Sequence, residues 1–325
     1  MLRLPAFTLQ QPQTPDEAVR MRSELDSVYL AGGTDILVNL KHRLQAPQHV
    51  IDLRSLPGLS GVTIADDHLR IGALTPLAEL EHHPGLAAMV PGLAEAIATI
   101  AGPQHRQMGT IGGNVLLDTR CLFYNQTEAW REALGKCLKA DGDWCHVIGS
   151  PKACVAAQSS DSVPMLTALG AVLELRTAPG TVQEVPLDGL FGKDGRYDRM
   201  LTVPRTALLE AIRVPRPGAG HRSTYRKIRT RQAVDYPQLS VAVAAQFTGA
   251  TCTDLRIVLG ALLPSPRVLH NPDGALGVWT EDTLDALADR VRRFARPQRS
   301  IHGDPKWRRH LAGIEARRAL SYIRP

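Results

Sequence analysis

Two Gly-Gly pairs set the strongest constraint on how this chain can fold. The first, Gly32-Gly33, follows the apolar run Ser27-Val28-Tyr29-Leu30-Ala31 and precedes a helical pattern from Ile36 to Leu44. That order predicts a buried strand, a tight turn and a helix. Such a turn aims backbone N–H groups and a helix N-terminus at one point, and glycines without Cβ atoms let an anion approach the backbone. Ala31-Gly32-Gly33-Thr34-Asp35 is therefore a candidate phosphate cradle. A single Gly-Gly turn is weak evidence, because most only reverse the chain. Thr110-Ile111-Gly112-Gly113-Asn114 supplies a second cradle, and two suit the two phosphates of a dinucleotide. The pair lacks the G-x-G-x-x-G fingerprint, which argues against a Rossmann nucleotide site.

Around these loops the N-terminal part alternates short apolar runs with helical patterns, as α/β layers do. His49 to Leu53 and Leu69 to Ala73 are expected strands. Thr75-Pro76 reads as a helix start, with Thr as N-cap and Pro at the first helical position, and the helix runs through about Leu80. Another helix is expected from Gly92 to Ile100, closed by Gly102-Pro103. The stretch Pro215-Arg216-Pro217-Gly218-Ala219-Gly220 cannot sustain helix or sheet and is the best linker, dividing the chain into 1–217 and 218–325. Beyond it, Ser223 to Arg229, Leu239 to Phe247 and Leu255 to Leu262 look like strands, with helices at Glu281 to Phe294 and Lys306 to Ile323. In the last helix Trp307, Leu311, Ile314 and Tyr322 form a packing stripe that Arg318 interrupts.

Residues 120–157 break the pattern. Four of the five cysteines, Cys121, Cys137, Cys145 and Cys154, lie there with gaps of 15, 7 and 8 residues. Thiols stay reduced in a cytoplasmic protein, so disulfides are the wrong explanation. Structural zinc remains an alternative, although its cysteines usually come in pairs two to four residues apart. The open spacing suits a larger object wrapped by the chain, such as a four-iron cluster on four converging thiolates. His146 could replace a thiolate and ranks below the four cysteines. Cys252 stands alone in an expected turn and reads as an inert thiol.

Composition narrows the function. The 325 residues are 44% hydrophobic, as in an ordinary globular protein, and no run approaches the about 18 apolar residues a membrane helix needs. The start, MLRLPAFTLQQPQTP, lacks a signal peptide's apolar region, so a cytoplasmic location is expected. The net charge is +6, but the basic residues are dispersed and aromatic residues make up only 5%, which argues against a nucleic-acid groove.

The loops AGGTD and TIGGN, the stretch Ser159-Ser160-Asp161 and the later Tyr225-Arg226-Lys227 resemble the FAD-binding subunit of the molybdenum hydroxylase family over nearly the whole chain. The resemblance implies an α+β fold: a two-part α/β FAD-binding domain with a cysteine-rich insertion, then a smaller domain of antiparallel sheet plus helices. It implies that FAD pyrophosphate is held by Tyr29-Leu30-Ala31-Gly32-Gly33-Thr34-Asp35-Ile36 and by Thr110-Ile111-Gly112-Gly113-Asn114. Asp161 would contact the nucleotide portion, and Lys227 would lie near the flavin ring, where a cation stabilises anionic reduced flavin. Without the family match, Asp161 reads as a loop cap and Lys227 as a solvated strand residue.

Most family members run directly from the second glycine loop to the acidic residue. The insertion here closely resembles the one in the β subunits of 4-hydroxybenzoyl-CoA reductases, a branch that carries an additional [4Fe-4S] cluster there. By that resemblance electrons pass from ferredoxin to the cluster, to FAD, to the clusters of a small [2Fe-2S] subunit, and to a molybdenum-cofactor large subunit that dehydroxylates 4-hydroxybenzoyl-CoA reductively. A dimer of heterotrimers is expected. No Ser-His-Asp order, metal-protease motif or catalytic carboxylate pair stands out, so substrate chemistry is expected on a partner chain. Two rivals remain: an oxidative flavin subunit whose cysteines hold zinc, and a non-redox interaction module whose glycine loops are only turns.

Overall fold

A computed structural model describes residues 2–299 and 303–325. The chain begins with a three-stranded parallel sheet in the order Thr8–Gln10, His49–Asp52, Ser27–Leu30. The helix Pro15–Glu24 starts where Thr14 Oγ1 accepts the Glu17 N–H, with Pro15 in its first turn. It buries Ala18 and Val19 with Ile51, Leu53 and Leu56. The short helix Ile36–Lys41 follows the first glycine turn and seals Leu40 against Val28, Leu30 and Val50.

A five-stranded antiparallel sheet comes next, ordered Val62–Ile64, His68–Gly72, Leu208–Pro215, Val172–Ala178, Thr181–Pro186. Leu69, Ile71, Leu173, Ile212 and Val214 are fully buried by helices Leu77–Glu81, Pro84–Met89, Pro91–Ala98 and Ser162–Ala168. Alternation along His68–Gly72 and Val172–Ala178 places one residue set in this main core and leaves the other half-exposed, whereas Leu208–Pro215 between them is buried on both faces over most of its length.

The third sheet is antiparallel in the order Arg267–His270, Thr251–Gly260, Leu239–Thr248, His221–Ile228, with Gly277–Val278 beside Thr251. Its central strand is apolar on both faces for a physical reason. Ala242 and Ala244 meet the main core, whereas Val241, Val243 and Ala245 meet the helices Glu281–Phe294 and Pro305–Ile323.

Several expectations need correction. The helix after the first glycine turn stops at Lys41, and Arg43 takes a left-handed φ of 56°. Thr75 does not cap the next helix; its hydroxyl donates to the Gly72 carbonyl at 2.6 Å, and the helix begins at Leu77. Cys252 lies in a strand rather than a turn, 1% exposed, and burial pushes its thiol up to about 11. In the last helix Trp307 and Tyr322 face outward. The buried face is Ala312, Gly313, Ala316, Ala319, Leu320 and Ile323, and its four small residues let the helix approach closely.

Candidate functional site

The first glycine loop leaves the strand Ser27–Leu30 with Gly33 at φ +78°, a conformation glycine adopts without strain. Gly32 has another role. A Cβ there would stand 1.8 Å from the Met108 carbonyl oxygen, so the loop rests directly on the backbone that leads into the second loop. The N–H groups of Gly32, Gly33, Thr34 and Asp35 donate no hydrogen bond to the described chain, as a cradle for an anionic group requires. Asp35 sits at the N-cap position without capping; its carboxylate accepts from Asn39 Nδ2 at 2.8 Å and pairs with Arg120.

The second loop is built differently from the expected cradle. Ile111–Val115 forms one helical turn, and its amides are used internally. Ile111 N–H donates to the Thr75 carbonyl, Gly112 N–H to that of Ala73, and Gly113 N–H to Thr110 Oγ1. A Cβ at Gly112 would stand 2.7 Å from Ala73, so that glycine serves packing. One at Gly113 would meet only Thr110 Oγ1, at 3.2 Å, which leaves its face open. Asn114 Oδ1 accepts the hydroxyls of Ser160 and Ser162, both at 2.7 Å, and so fixes the segment that carries Asp161.

Both loops line one cavity of about 500 Å³. Of the residues singled out from sequence, Tyr29, Ala31, Gly32, Gly33, Thr34, Asp35, Ile36, Thr110, Gly112, Gly113, Asn114 and Asp161 line it. Leu30, Ile111 and Lys227 do not. Leu30 packs in the apolar layer under the first sheet, and Ile111 is fully buried in the main core. The Tyr29 hydroxyl donates to the Thr206 carbonyl at 2.8 Å, and burial raises its pKa.

Asp161 is 4% exposed; one carboxylate oxygen accepts the Tyr225 hydroxyl and the other the Lys227 ammonium, both at 2.7 Å. Burial pushes the carboxyl up and the ammonium down, and their ion pair opposes both shifts. Asp161 is thus no loop cap and Lys227 no solvated strand residue. Lys227 does not itself line the cavity; its ammonium donates to the Thr99 carbonyl at 3.0 Å and to Asp161, which does.

Sequence reading missed several wall residues. Arg205 lies over the Tyr197 ring at 3.9 Å. Val234, Asp235 and Tyr236 arrive from the C-terminal half, where Val234 is held at φ 52° by its N–H bond to the Ala101 carbonyl. A β-branched residue in that region is strained, so the tertiary contact must dictate it. No local signal marks these positions.

All four insertion cysteines line a second, small cavity with Phe123, Tyr124, Lys139 and His146. Cys121 N–H is held by Asn125 Oδ1 at 3.0 Å, and the Cys137 carbonyl accepts from Ala140 and Gly142 in a tight turn. Cys145 pairs with Ser150. Cys145 and Cys154 are each 6% exposed, and burial pushes the Cys154 thiol up to about 12. Ionising such thiols requires compensating positive charge, which metal ligation supplies. His146 Nε2 is bonded to the Gly135 carbonyl at 2.8 Å, which ties that nitrogen away from the cysteines. Among the described residues no group of three or more His, Cys, Asp or Glu side chains is arranged to hold a metal ion, so the thiols converge without a preformed coordination sphere.

The insertion is docked on the helix that follows the first glycine loop. Arg131 donates to the carbonyls of His42 at 3.2 Å and Arg43 at 2.8 Å, at the C-terminal end of Ile36–Lys41, while Arg120 grips Asp35 near its start.

Residues 5–217 match the family described as the FAD binding domain in molybdopterin dehydrogenase, and residues 223–323 match the CO dehydrogenase flavoprotein C-terminal domain. The aldehyde oxidoreductase FAD-binding subunit of Escherichia coli is 30% identical over 87% of this chain and 89% of its own. The carbon monoxide dehydrogenase medium chain of Hydrogenophaga pseudoflava is 29% identical over 98% and 96%. A solved structure of that carbon monoxide dehydrogenase superposes with a TM-score of 0.79, covering 98% of this chain and 97% of its counterpart at 27% identity.

Proposed function

Because the chain belongs to the FAD-binding subunits of the molybdenum hydroxylase and carbon monoxide dehydrogenase family, we propose that it is the electron-transfer subunit of a 4-hydroxybenzoyl-CoA reductase-type complex. It would carry FAD in the glycine-loop cavity and a [4Fe-4S] cluster on Cys121, Cys137, Cys145 and Cys154. The observation behind the cluster is the convergence of those four thiols on one cavity beside the cavity lined by both glycine loops.

The donor set fits FAD, and the four cysteines supply the thiolate chemistry a four-iron cluster needs, although among the described residues they are not arranged to hold a metal ion. The free amides of Gly32 to Asp35 would receive the pyrophosphate, with the bare face of Gly113 opposite. Asp161, held by Tyr225 and Lys227, would contact the nucleotide portion as a fixed acceptor. When bound, FAD exchanges one or two electrons and a four-iron cluster one, so a chain holding both joins donors and acceptors of unequal stoichiometry. The chain's own residues bind, orient and insulate.

Substrate chemistry falls to partners in this reading. A molybdenum-cofactor large subunit removes the phenolic hydroxyl of 4-hydroxybenzoyl-CoA as water, consuming two electrons and two protons. A small [2Fe-2S] subunit lies between it and this chain, ferredoxin is the donor, and the complex is a cytoplasmic dimer of heterotrimers. No described helix is long and apolar enough to cross a membrane.

The relatives named above favour a second reading, in which the subunit serves an oxidative enzyme; in that reading the four thiols would hold structural zinc. Anaerobic purification followed by iron, sulfide, zinc and flavin analysis separates the two. About four irons and one flavin per chain are expected for the proposed function, from the composition of a four-iron cluster. Stoichiometric zinc with flavin would establish the second reading, and protein that takes up neither iron nor flavin on reconstitution would overturn both.

A further inference from the structure

One buried cation stands between the two cavities. The side chain of Lys139 is 0% exposed, and its ammonium donates to the Asp118 carboxylate at 2.6 Å, the Gly195 carbonyl at 2.7 Å and the Thr119 hydroxyl. The Tyr124 ring lies 5.0 Å away. All three ammonium protons are used, so the charge is fixed in place. Asp118 lines the glycine-loop cavity, whereas Lys139 lines the cysteine cavity, where it is the one Lys or Arg side chain.

A buried charge is costly unless it is paired, and one carboxylate pairs this one. Four thiolates around iron would add net negative charge beside it, in surroundings where water screens little. We propose that Lys139 and Asp118 form a charge partition between the two cofactor cavities, with the lysine setting the reduction potential of whatever the four cysteines bind. The inference rests on the cluster reading above. An electron arriving on the cysteine side is stabilised by the lysine, and Asp118 on the flavin side opposes that stabilisation.

The test is an anaerobic redox titration of the reconstituted full chain, following the cluster by EPR. Lys139→Met should lower the cluster's midpoint potential, Asp118→Asn should raise it, and Lys139→Arg should leave it near that of the parent. Opposite signs for the two charge deletions mark an electrostatic role, because loosening the structure would not reverse direction between them. If Lys139→Met fails to fold, Asp118→Asn keeps the lysine and its other two acceptors and carries the sign test. An iron-loaded parent with variants that do not shift, or shift the same way, would overturn the inference while leaving the cluster reading intact. A parent that binds no iron after reconstitution overturns both, and iron analysis tells the cases apart.

Discussion

The guanidinium of Arg120 is paired with the carboxylate of Asp35, so the residue just before the first insertion cysteine grips the first glycine loop. The same guanidinium lies over the Tyr236 ring at 5.2 Å, which brings three distant stretches of chain to one point. Arg120→Ala should therefore weaken flavin binding although it removes no thiol. A rise in Kd of up to about fivefold is expected, corresponding to about 1 kcal/mol or less for a pair that is only partly buried. Flavin fluorescence titration of the apoprotein measures it, and an unchanged Kd would show that the pair is ornamental to the cradle.

The two second-loop glycines should separate in experiment. Gly113→Val fills the open face and is expected to lower flavin content with little change in apoprotein Tm, since Val is no poorer a helix former than Gly and its Cβ meets only Thr110 Oγ1. Gly112→Ala forces a Cβ against Ala73 and should lower Tm first. Full flavin occupancy in Gly113→Val would move the pyrophosphate elsewhere.

Cys137→Ser should abolish iron binding in the insertion while flavin stays, because Cys137 lies outside the Arg120 and Arg131 contacts to the helix Ile36–Lys41 and its ends. Combined absorbance and metal analysis reads both at once. Loss of both groups together would show that the insertion and the cradle fold as one unit.

Lys227→Met strands a buried carboxylate. A loss of about 3–5 kcal/mol in urea unfolding is expected, as when one partner of a buried ion pair is removed. Lys227→Met combined with Asp161→Asn should recover part of it, since the amide needs no counter-charge. If the double variant is no more stable than the single, the cost lies in lost packing rather than in charge.

Local chemistry explains what could be read in advance. The strand, Gly-Gly turn and helix around Gly32 follow from residues in immediate succession, as does the helix Glu281–Phe294, where Thr280 accepts the Thr283 N–H. The antiparallel sheet of the C-terminal part was legible for the same reason. What stayed hidden depends on distant partners. The strand Leu208–Pro215 pairs with both His68–Gly72 and Val172–Ala178, and nothing near it in sequence marks it as central. Gly32 and Gly112 looked like open faces because the backbones that fill them, at Met108 and Ala73, lie far away in sequence. The last helix was misjudged because large apolar residues suggested a buried side, whereas its alanines are what the neighbouring helix and sheet admit.

The wall of the larger cavity runs from Arg22 to Tyr236, and its Val234 contact depends on a loop flanked by two strands of the third sheet. A nascent chain that has emitted only its first two sheets presents the glycine turns but not the enclosure. The enclosure is complete only when Val234, Asp235 and Tyr236 stand beside the glycine turns, so it draws on both halves of the chain.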